Sequence, residues 1–259
     1  MPGGMCYVML GRSERLEDIY IKCSEEMDMT AIRCDETALE ESKRLEKIFE
    51  LDASMKKEKR ANHWKISYVN IQSLNAHYED ALIDNELNDS DIFGLGETHL
   101  HETHFINFEG FIGHFANVGK GKGQAAFTKM ELLSEPENVA SDTCSAIFLR
   151  TIHFNVIFLY LSKNYDKNSV FTLLENWMKE STPTVVMGDV NENILDTSKL
   201  EKFMNTKGFH QMIDKPTYIK GSILDHLYVN ELMMKRNIFY EQNSTYYSEH
   251  DAISLYIPK

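Results

Sequence analysis

Thr184-Val185-Val186-Met187-Gly188-Asp189-Val190-Asn191 is the stretch on which the fold turns, an apolar run that stops at a glycine, an acid and an amide. A short β-branched run bounded by turn residues has the length and composition of a core strand. The acid that ends it then stands at the edge of a sheet. Three other segments repeat this design: Tyr68-Val69-Asn70-Ile71-Gln72-Ser73, Phe93-Gly94-Leu95-Gly96-Glu97-Thr98-His99 and Tyr247-Ser248-Glu249-His250-Asp251-Ala252. Ser222-Ile223-Leu224-Asp225-His226 is similar.

Outward from these segments the chain alternates strand and helix signals. The pattern predicts strands at Trp64–Ile71, Ile92–Gly96, Phe111–Ala116, Gln124–Thr128, Cys144–Arg150, Asn155–Leu161, Thr184–Met187, Ile223–Val229, Ile238–Tyr240 and Ala252–Ile257. Helices are expected at Leu74–Leu87, Asn168–Lys179 and Ser198–Lys207, the last closed by Gly208 as its C-cap. The glycine-rich Gly119–Gly123 reads as a hairpin turn. Many strands, few helices and polar strand ends imply an α+β fold, a two-sheet β-sandwich flanked by helices.

The first 60 residues have a different texture. Two short strands, Tyr7–Leu10 and Asp18–Ile21, precede a helix at Asp35–Leu51 with Leu39, Leu45, Ile48 and Phe49 as its apolar stripe. The basic run Lys56-Lys57-Glu58-Lys59-Arg60 then reads as a solvated linker. The expected division is therefore a small N-terminal appendage, 1–60, and one large domain, 61–259.

Composition excludes several classes. No apolar run approaches the roughly 20 residues needed to span a bilayer, and Met1-Pro2-Gly3-Gly4-Met5 does not open a signal peptide. An intracellular chain with no membrane partner is expected, the nucleus being one option. Cys6, Cys23, Cys34 and Cys144 are scattered without a C-x-x-C pair, so they read as ordinary thiols. The net charge is −13, with 11 basic against 14 acidic residues up to Arg60 and 16 against 26 beyond it, or −3 and −10. A domain at −10 has no general attraction for polyphosphate, because such binding is driven by Lys and Arg releasing counterions. Any phosphate substrate needs local basic groups or a metal.

The polar strand ends could supply what phosphodiester hydrolysis requires: carboxylates for a cation, a base for water and a group for developing charge. Oxygen-rich ligation of this kind suits Mg²⁺ or Mn²⁺ rather than zinc. Taken singly, each residue has a plainer reading. Asp189 can cap its own turn, Glu97 and Asp225 can be edge charges, and His250 can be a packed imidazole.

Their order together resembles the endonuclease/exonuclease/phosphatase superfamily over about 200 residues, which implies its DNase I-like fold. On that resemblance Asn70 and Glu97 are the metal-site pair, with Glu249 as a further metal contact. Asp189 orients or deprotonates water, and Asn191 holds the phosphate or the water, as does Asn70. Asp225 fixes the tautomer of His250, which stabilises the transition state, and Tyr160 touches the phosphate. Two departures stand out. Leu161 replaces the arginine that follows the tyrosine in many members, with Lys163 a partial substitute, and Glu249 replaces an aspartate. Leu161→Arg and Glu249→Asp are accordingly expected to raise activity.

Tyr7-Val8-Met9-Leu10-Gly11-Arg12-Ser13-Glu14-Arg15-Leu16 resembles the last motif of superfamily 1 helicases in Helitron-type transposons, with Arg12 at the phosphate-contacting position. No phosphate loop of the G-x-x-x-x-G-K-[ST] kind occurs, so no ATP binding is expected. The combined reading is a Mg²⁺-dependent DNA endonuclease of transposable-element origin that leaves 3′-hydroxyl and 5′-phosphate ends, behind a helicase remnant. Alternatives are a non-catalytic relic of the same fold and a phosphatase on a small phosphorylated molecule.

Overall fold

A computed structural model describes residues 61–101, 106–178, 181–196 and 198–259, together with the helical Lys43, Arg44 and Lys47. The chain divides into two compact units, Met1–Ala61 and Asn62–Lys259. The expected strands at Tyr7–Leu10 and Asp18–Ile21, Arg12 and the helix stripe of the first unit lie outside the described residues.

The second unit is built from two six-stranded sheets. The first has the order β11 (Phe239–Asn243), β12 (Ala252–Pro258), β1 (His63–Asn70), β2 (Ile92–Gly96), β4 (Gln124–Thr128), β3 (Ile112–Ala116). The second runs β5 (Glu137–Ala140), β6 (Cys144–Arg150), β7 (Asn155–Leu161), β8 (Thr184–Asp189), β10 (Asp225–Asn230), β9 (Phe209–Gln211). Each sheet contains one parallel pair, β1 with β2 and β7 with β8, and its other pairs are antiparallel. The result is an α+β sandwich of the DNase I-like type.

A parallel pair needs a crossover, and helices supply it on the outer faces. Between β1 and β2 run α1 (Tyr78–Ile83) and α2 (Asn85–Asn88), and between β7 and β8 runs α3 (Lys167–Trp177). After β8 comes α4 (Lys199–Thr206), and α5 (Glu231–Met234) follows β10. The single helix expected over Leu74–Leu87 is thus split. Asp84 takes an extended backbone and its carboxylate accepts from Glu86 N at 2.7 Å, capping a new helix instead of continuing the old one. The chain also adds β5, β9 and α5, whose short segments carry no periodicity of their own.

Alternation sorts each strand's residues between two cores. Ile66, Tyr68, Ile147, Leu149, Phe158, Met187, Leu227 and Ile253 fill the space between the sheets. Ile157, Leu159, Leu161 and Val186 pack outward against Val170, Leu174 and Trp177 of α3 and Leu200 and Met204 of α4. Gly188 is required where β7 and β8 meet, since a Cβ there would run into the Leu159 carbonyl oxygen and stand 2.6 Å from its carbon. Cys144 is buried and unbridged, and no described helix is long and apolar enough to cross a membrane.

One buried histidine sits beside the polar layer without joining it. His226 is held by Tyr228 Oη at 2.8 Å on Nδ1 and by the Glu192 carbonyl at 2.9 Å on Nε2. Burial pushes its imidazole down to about 4. Between that value and the free value near 6.5 the unfolded chain binds the extra proton, so stability falls as pH drops through this window. The stability difference between the wild type and His226→Gln should therefore shrink by on the order of 3 kcal/mol from pH 7 to pH 4. Urea unfolding at both pH values measures it, and a pH-independent difference contradicts the buried neutral assignment.

Candidate active site

Strand register assembles the cluster. Across the second sheet Ser145, Tyr160, Asp189 and Asp225 stand side by side on β6, β7, β8 and β10. Across the first, Asn70, Gly96 and Gln124 do the same on β1, β2 and β4. Two residues earlier or later on the same strands, Tyr68, Phe158, Met187 and Leu227 belong to the core between the sheets. The period of two therefore turns both rows into that same gap, where they close its end with polar groups.

Hydrogen bonds tie the rows together. Asn70 Nδ2 donates to Asp189 Oδ2 at 2.8 Å, bridging the two sheets, while Asn70 Oδ1 accepts from Gln72 N at 3.1 Å. Asn191 donates twice to Asp189, from its backbone N to Oδ1 at 2.9 Å and from Nδ2 to Oδ2 at 3.3 Å, and Nδ2 also reaches the Leu161 carbonyl. Asp189 N donates to Tyr68 Oη at 3.1 Å. Beside it His250 Nδ1 and Asp225 Oδ2 are 2.7 Å apart, which leaves Nε2 as the ring nitrogen open to other partners. Tyr218 packs its ring 4.9 Å from the imidazole, and Ser248 Oγ, donating to the Asn70 carbonyl at 2.6 Å, accepts from His250 N.

These groups share one electrostatic environment. Burial first, then the Asp225 charge, pushes the Asp189 carboxyl well above the usual carboxylate range, against the opposing pull of His250. For His250 burial acts downward, yet Asp225, Asp189 and Glu97 outweigh it and push the imidazole up to about 9. Burial and then Glu97 and Asp189 raise the Tyr160 hydroxyl. Glu97, Asp189, Asp225, His250 and Tyr160 thus act on one another although 153 positions separate the first from the last of them in sequence. A base held high and a cation beside it are the complementary pair that proton transfer and charge stabilisation use.

Backbone strain gathers at the same place. Gln72, Ser73, Glu97, His99 and Asn191 take positive φ, and of the non-glycine residues described only Asn237 joins them. Each of the five follows the C-terminal end of β1, β2 or β8, where the turn re-aims the polar side chains.

Two of the expected site residues are not brought in. Glu249 is exposed, and its carboxylate accepts from Tyr218 Oη at 2.7 Å. Lys163 is exposed in the turn after β7, with no hydrogen bond or ion pair to the cluster among the described residues. The position of Leu161 argues against a benefit from Leu161→Arg. Leu161 is wholly buried on the face of β7 that packs under α3 and α4, one residue out of phase with Tyr160. A guanidinium there would be a buried unpaired charge, so Leu161→Arg should cost about 3 kcal/mol or more and bring no gain in rate. Thermal unfolding checks it, and a fully stable variant would contradict the assignment of that face. Residues that sequence reasoning missed are Tyr68, Tyr218 and Ser248; Tyr68 lies two before Asn70 and so on its face.

The donor set fits a hard divalent cation. The Glu97 carboxylate is about a fifth exposed, with His99 Nε2 at 3.8 Å, and Asn70 offers an amide oxygen. Both are oxygen ligands of the kind Mg²⁺ and Mn²⁺ take. Among the described residues no three His, Cys, Asp or Glu side chains form a metal cage by themselves.

No family model and no curated protein matches the sequence. Solved structures do match. The 3′ phosphatase NExo from Neisseria, solved with a product DNA hairpin, is similar over 76% of this chain and 100% of its own, at 14% identity and a TM-score of 0.61. An AP endonuclease from Archaeoglobus fulgidus is similar over 75% and 99%, at 16% identity and 0.61. The endonuclease domain of TRAS1, a telomere-specific non-LTR retrotransposon, is similar over 76% and 98%, at 14% identity and 0.57. What this chain shares with these nucleases and phosphatases is the fold, the DNase I-like two-sheet sandwich.

Proposed function

We propose that the 61–259 domain is a divalent-metal-dependent phosphodiesterase, acting on DNA as an endonuclease. The observation that carries this reading is the bridge from Asn70 to Asp189 across the two sheets, with the His250–Asp225 pair beside it. Glu97 and Asn70 would hold Mg²⁺ or Mn²⁺, which when bound neutralises phosphate charge. In its carboxylate form, which accepts from Asn70 Nδ2 and from Asn191 N and Nδ2, Asp189 takes the proton of the attacking water, and burial and then Asp225 make that carboxylate a stronger base. His250, charged at neutral pH, donates from Nε2 to the phosphate oxygen that gains charge, and Asp225 keeps the ring oriented. The Tyr160 hydroxyl orients the phosphate between these groups, and Asn191 Nδ2, whose two protons go to the Leu161 carbonyl and Asp189 Oδ2, keeps Asp189 in place. The bond from phosphorus to the 3′ oxygen breaks, leaving 3′-hydroxyl and 5′-phosphate ends.

The likeness to a retrotransposon endonuclease domain supports a transposable-element origin, and the motif at Tyr7–Leu16 supports a helicase remnant without nucleotide turnover in residues 1–60. An intracellular location, with the nucleus as one option, goes with a DNA substrate. Incubating the protein with supercoiled plasmid in Mg²⁺, in Mn²⁺ and in chelator tests the activity, and end-labelling identifies the termini. Inositol phosphates in the same buffers test the acidic domain's small-molecule alternative. Turnover of these without plasmid nicking contradicts the DNA reading, and turnover of neither substrate leaves the fold as a non-catalytic relic.

A further inference from the structure

Asn191 carries much of the site's hydrogen bonding in a strained left-handed conformation, φ 54°, at the start of an irregular loop. Something must hold that loop. The next residue, Glu192, has no place in the chemistry proposed above, yet it accepts five hydrogen bonds. Its Oε2 accepts from Ser198 Oγ at 2.9 Å, Lys199 N at 2.7 Å and Leu200 N at 3.1 Å, and so fills the N-terminal end of α4. Its Oε1 accepts from Tyr165 Oη at 3.0 Å, in the turn that follows β7. Its carbonyl pairs with His226 Nε2 on β10, next to Asp225.

These partners lie on α4, in the turn after β7 and on β10, and two of those segments, together with the strand that leads into the loop, carry members of the polar row in the second sheet. The turn at Tyr165 continues β7, which presents Tyr160. The loop itself continues β8, which presents Asp189, and His226 adjoins Asp225 on β10. One side chain and one carbonyl therefore fasten the three strand ends to one another and to α4. We propose that Glu192 is the positioning residue of this site, fixing the loop so that Asn191 stays bonded to Asp189 and holds its carboxyl in place. The proposal rests on the phosphodiesterase reading for its kinetic consequences, though not for the tether itself.

The chemistry of the tether predicts how substitutions sort. Glutamine keeps an oxygen for Lys199 N and Leu200 N and an amide that can donate to the Tyr165 oxygen, whereas alanine keeps nothing. A loop released by even an ångström costs rate steeply, because the reacting groups no longer meet in line. Glu192→Ala should lower kcat about 100-fold with KM moving less than about threefold, and Glu192→Gln should recover to within about fivefold of wild type. Independently of turnover, the Asn191 backbone amide, which donates to Asp189, should exchange with solvent at least about tenfold faster in Glu192→Ala than in wild type. Tyr165→Phe, which deletes one hydroxyl and leaves the carboxylate in place, should give a smaller change of the same sign and serves if the alanine variant does not fold.

Native-state hydrogen exchange and steady-state plasmid cleavage are therefore measured together on the full chain. Unchanged Asn191 exchange in a folded Glu192→Ala, or in Tyr165→Phe if alanine fails to fold, overturns the tether whatever the cleavage result. Faster exchange with kcat kept at the wild-type value shows a tether without a positioning role and overturns the proposal too. A wild type that cleaves nothing counts against the proposed function, and the exchange comparison still decides the tether.

Discussion

Asp189→Asn is expected to lower phosphodiester cleavage by about three orders of magnitude while the domain stays folded. The substitution removes the proton acceptor, and positioned general bases are worth roughly 10²–10⁴ in rate. Stability responds to two opposed effects. An amide nitrogen in place of Oδ2 would meet the donating Nδ2 atoms of Asn70 and Asn191, which is unfavourable. Against this, the neutral group no longer suffers burial and repulsion from Asp225, the causes that raise the Asp189 carboxyl. The melting temperature should shift by only a few degrees, about 2–4 °C per kcal/mol for a domain of this size. Cleavage within tenfold of wild type in a folded Asp189→Asn would exclude Asp189 as the base.

Gly188→Ala, one residue earlier, should have the opposite profile and fail on stability. Its added methyl would collide with backbone atoms of Leu159, which cannot give way without opening the β7–β8 ladder. That ladder sets Tyr160 against Asp189. Overpacking ordinarily costs about 1–3 kcal/mol, and a backbone neighbour with no freedom to move puts the cost above about 4 kcal/mol. A domain with the usual 5–15 kcal/mol of stability then loses much of it. Gly208→Ala makes the control, since its positive φ of 73° is strained but no atom lies within 4 Å of the added carbon; about 1–2 kcal/mol is expected there. Chemical denaturation of both variants compares them. Equal losses would mean that the close approach at Gly188 is not what the strand pair depends on.

The two variants mark what the sequence reveals and what it leaves hidden. Val186 to Asn191 announces a core strand ending in an acid because β-branched residues, a glycine and an aspartate each state a local preference that the tertiary fold keeps. Asn70 and Glu97 stand at the C-terminal ends of β1 and β2, and Asp225 and His250 at the N-terminal ends of β10 and β12, so that Asn70 reaches Asp189 and His250 reaches Asp225. Position within the layer is another matter. Leu161 and Glu249 look like site residues by adjacency, but alternation turns Leu161 outward and a tyrosine 31 residues away takes the Glu249 carboxylate. The break at Asp84 shows a side chain competing with its own helix, which a periodicity of apolar positions cannot register. Strand β5 is mostly exposed, so it has no alternation to read. Glu192 was silent in the sequence because all its significance lies in partners contributed by α4, β10 and the turn after β7.

The most direct measurement of the central claim is the Mg²⁺ dependence of plasmid cleavage in wild type and in Glu97→Gln. If Glu97 and Asn70 form the metal site, chelator abolishes cleavage by the wild type and Mg²⁺ restores it. In Glu97→Gln the concentration for half-maximal rate should then rise by about tenfold or more, as loss of a charged ligand dictates. Cleavage that persists in chelator, or an unchanged Mg²⁺ requirement in a folded Glu97→Gln, would contradict a metal-dependent centre at Glu97.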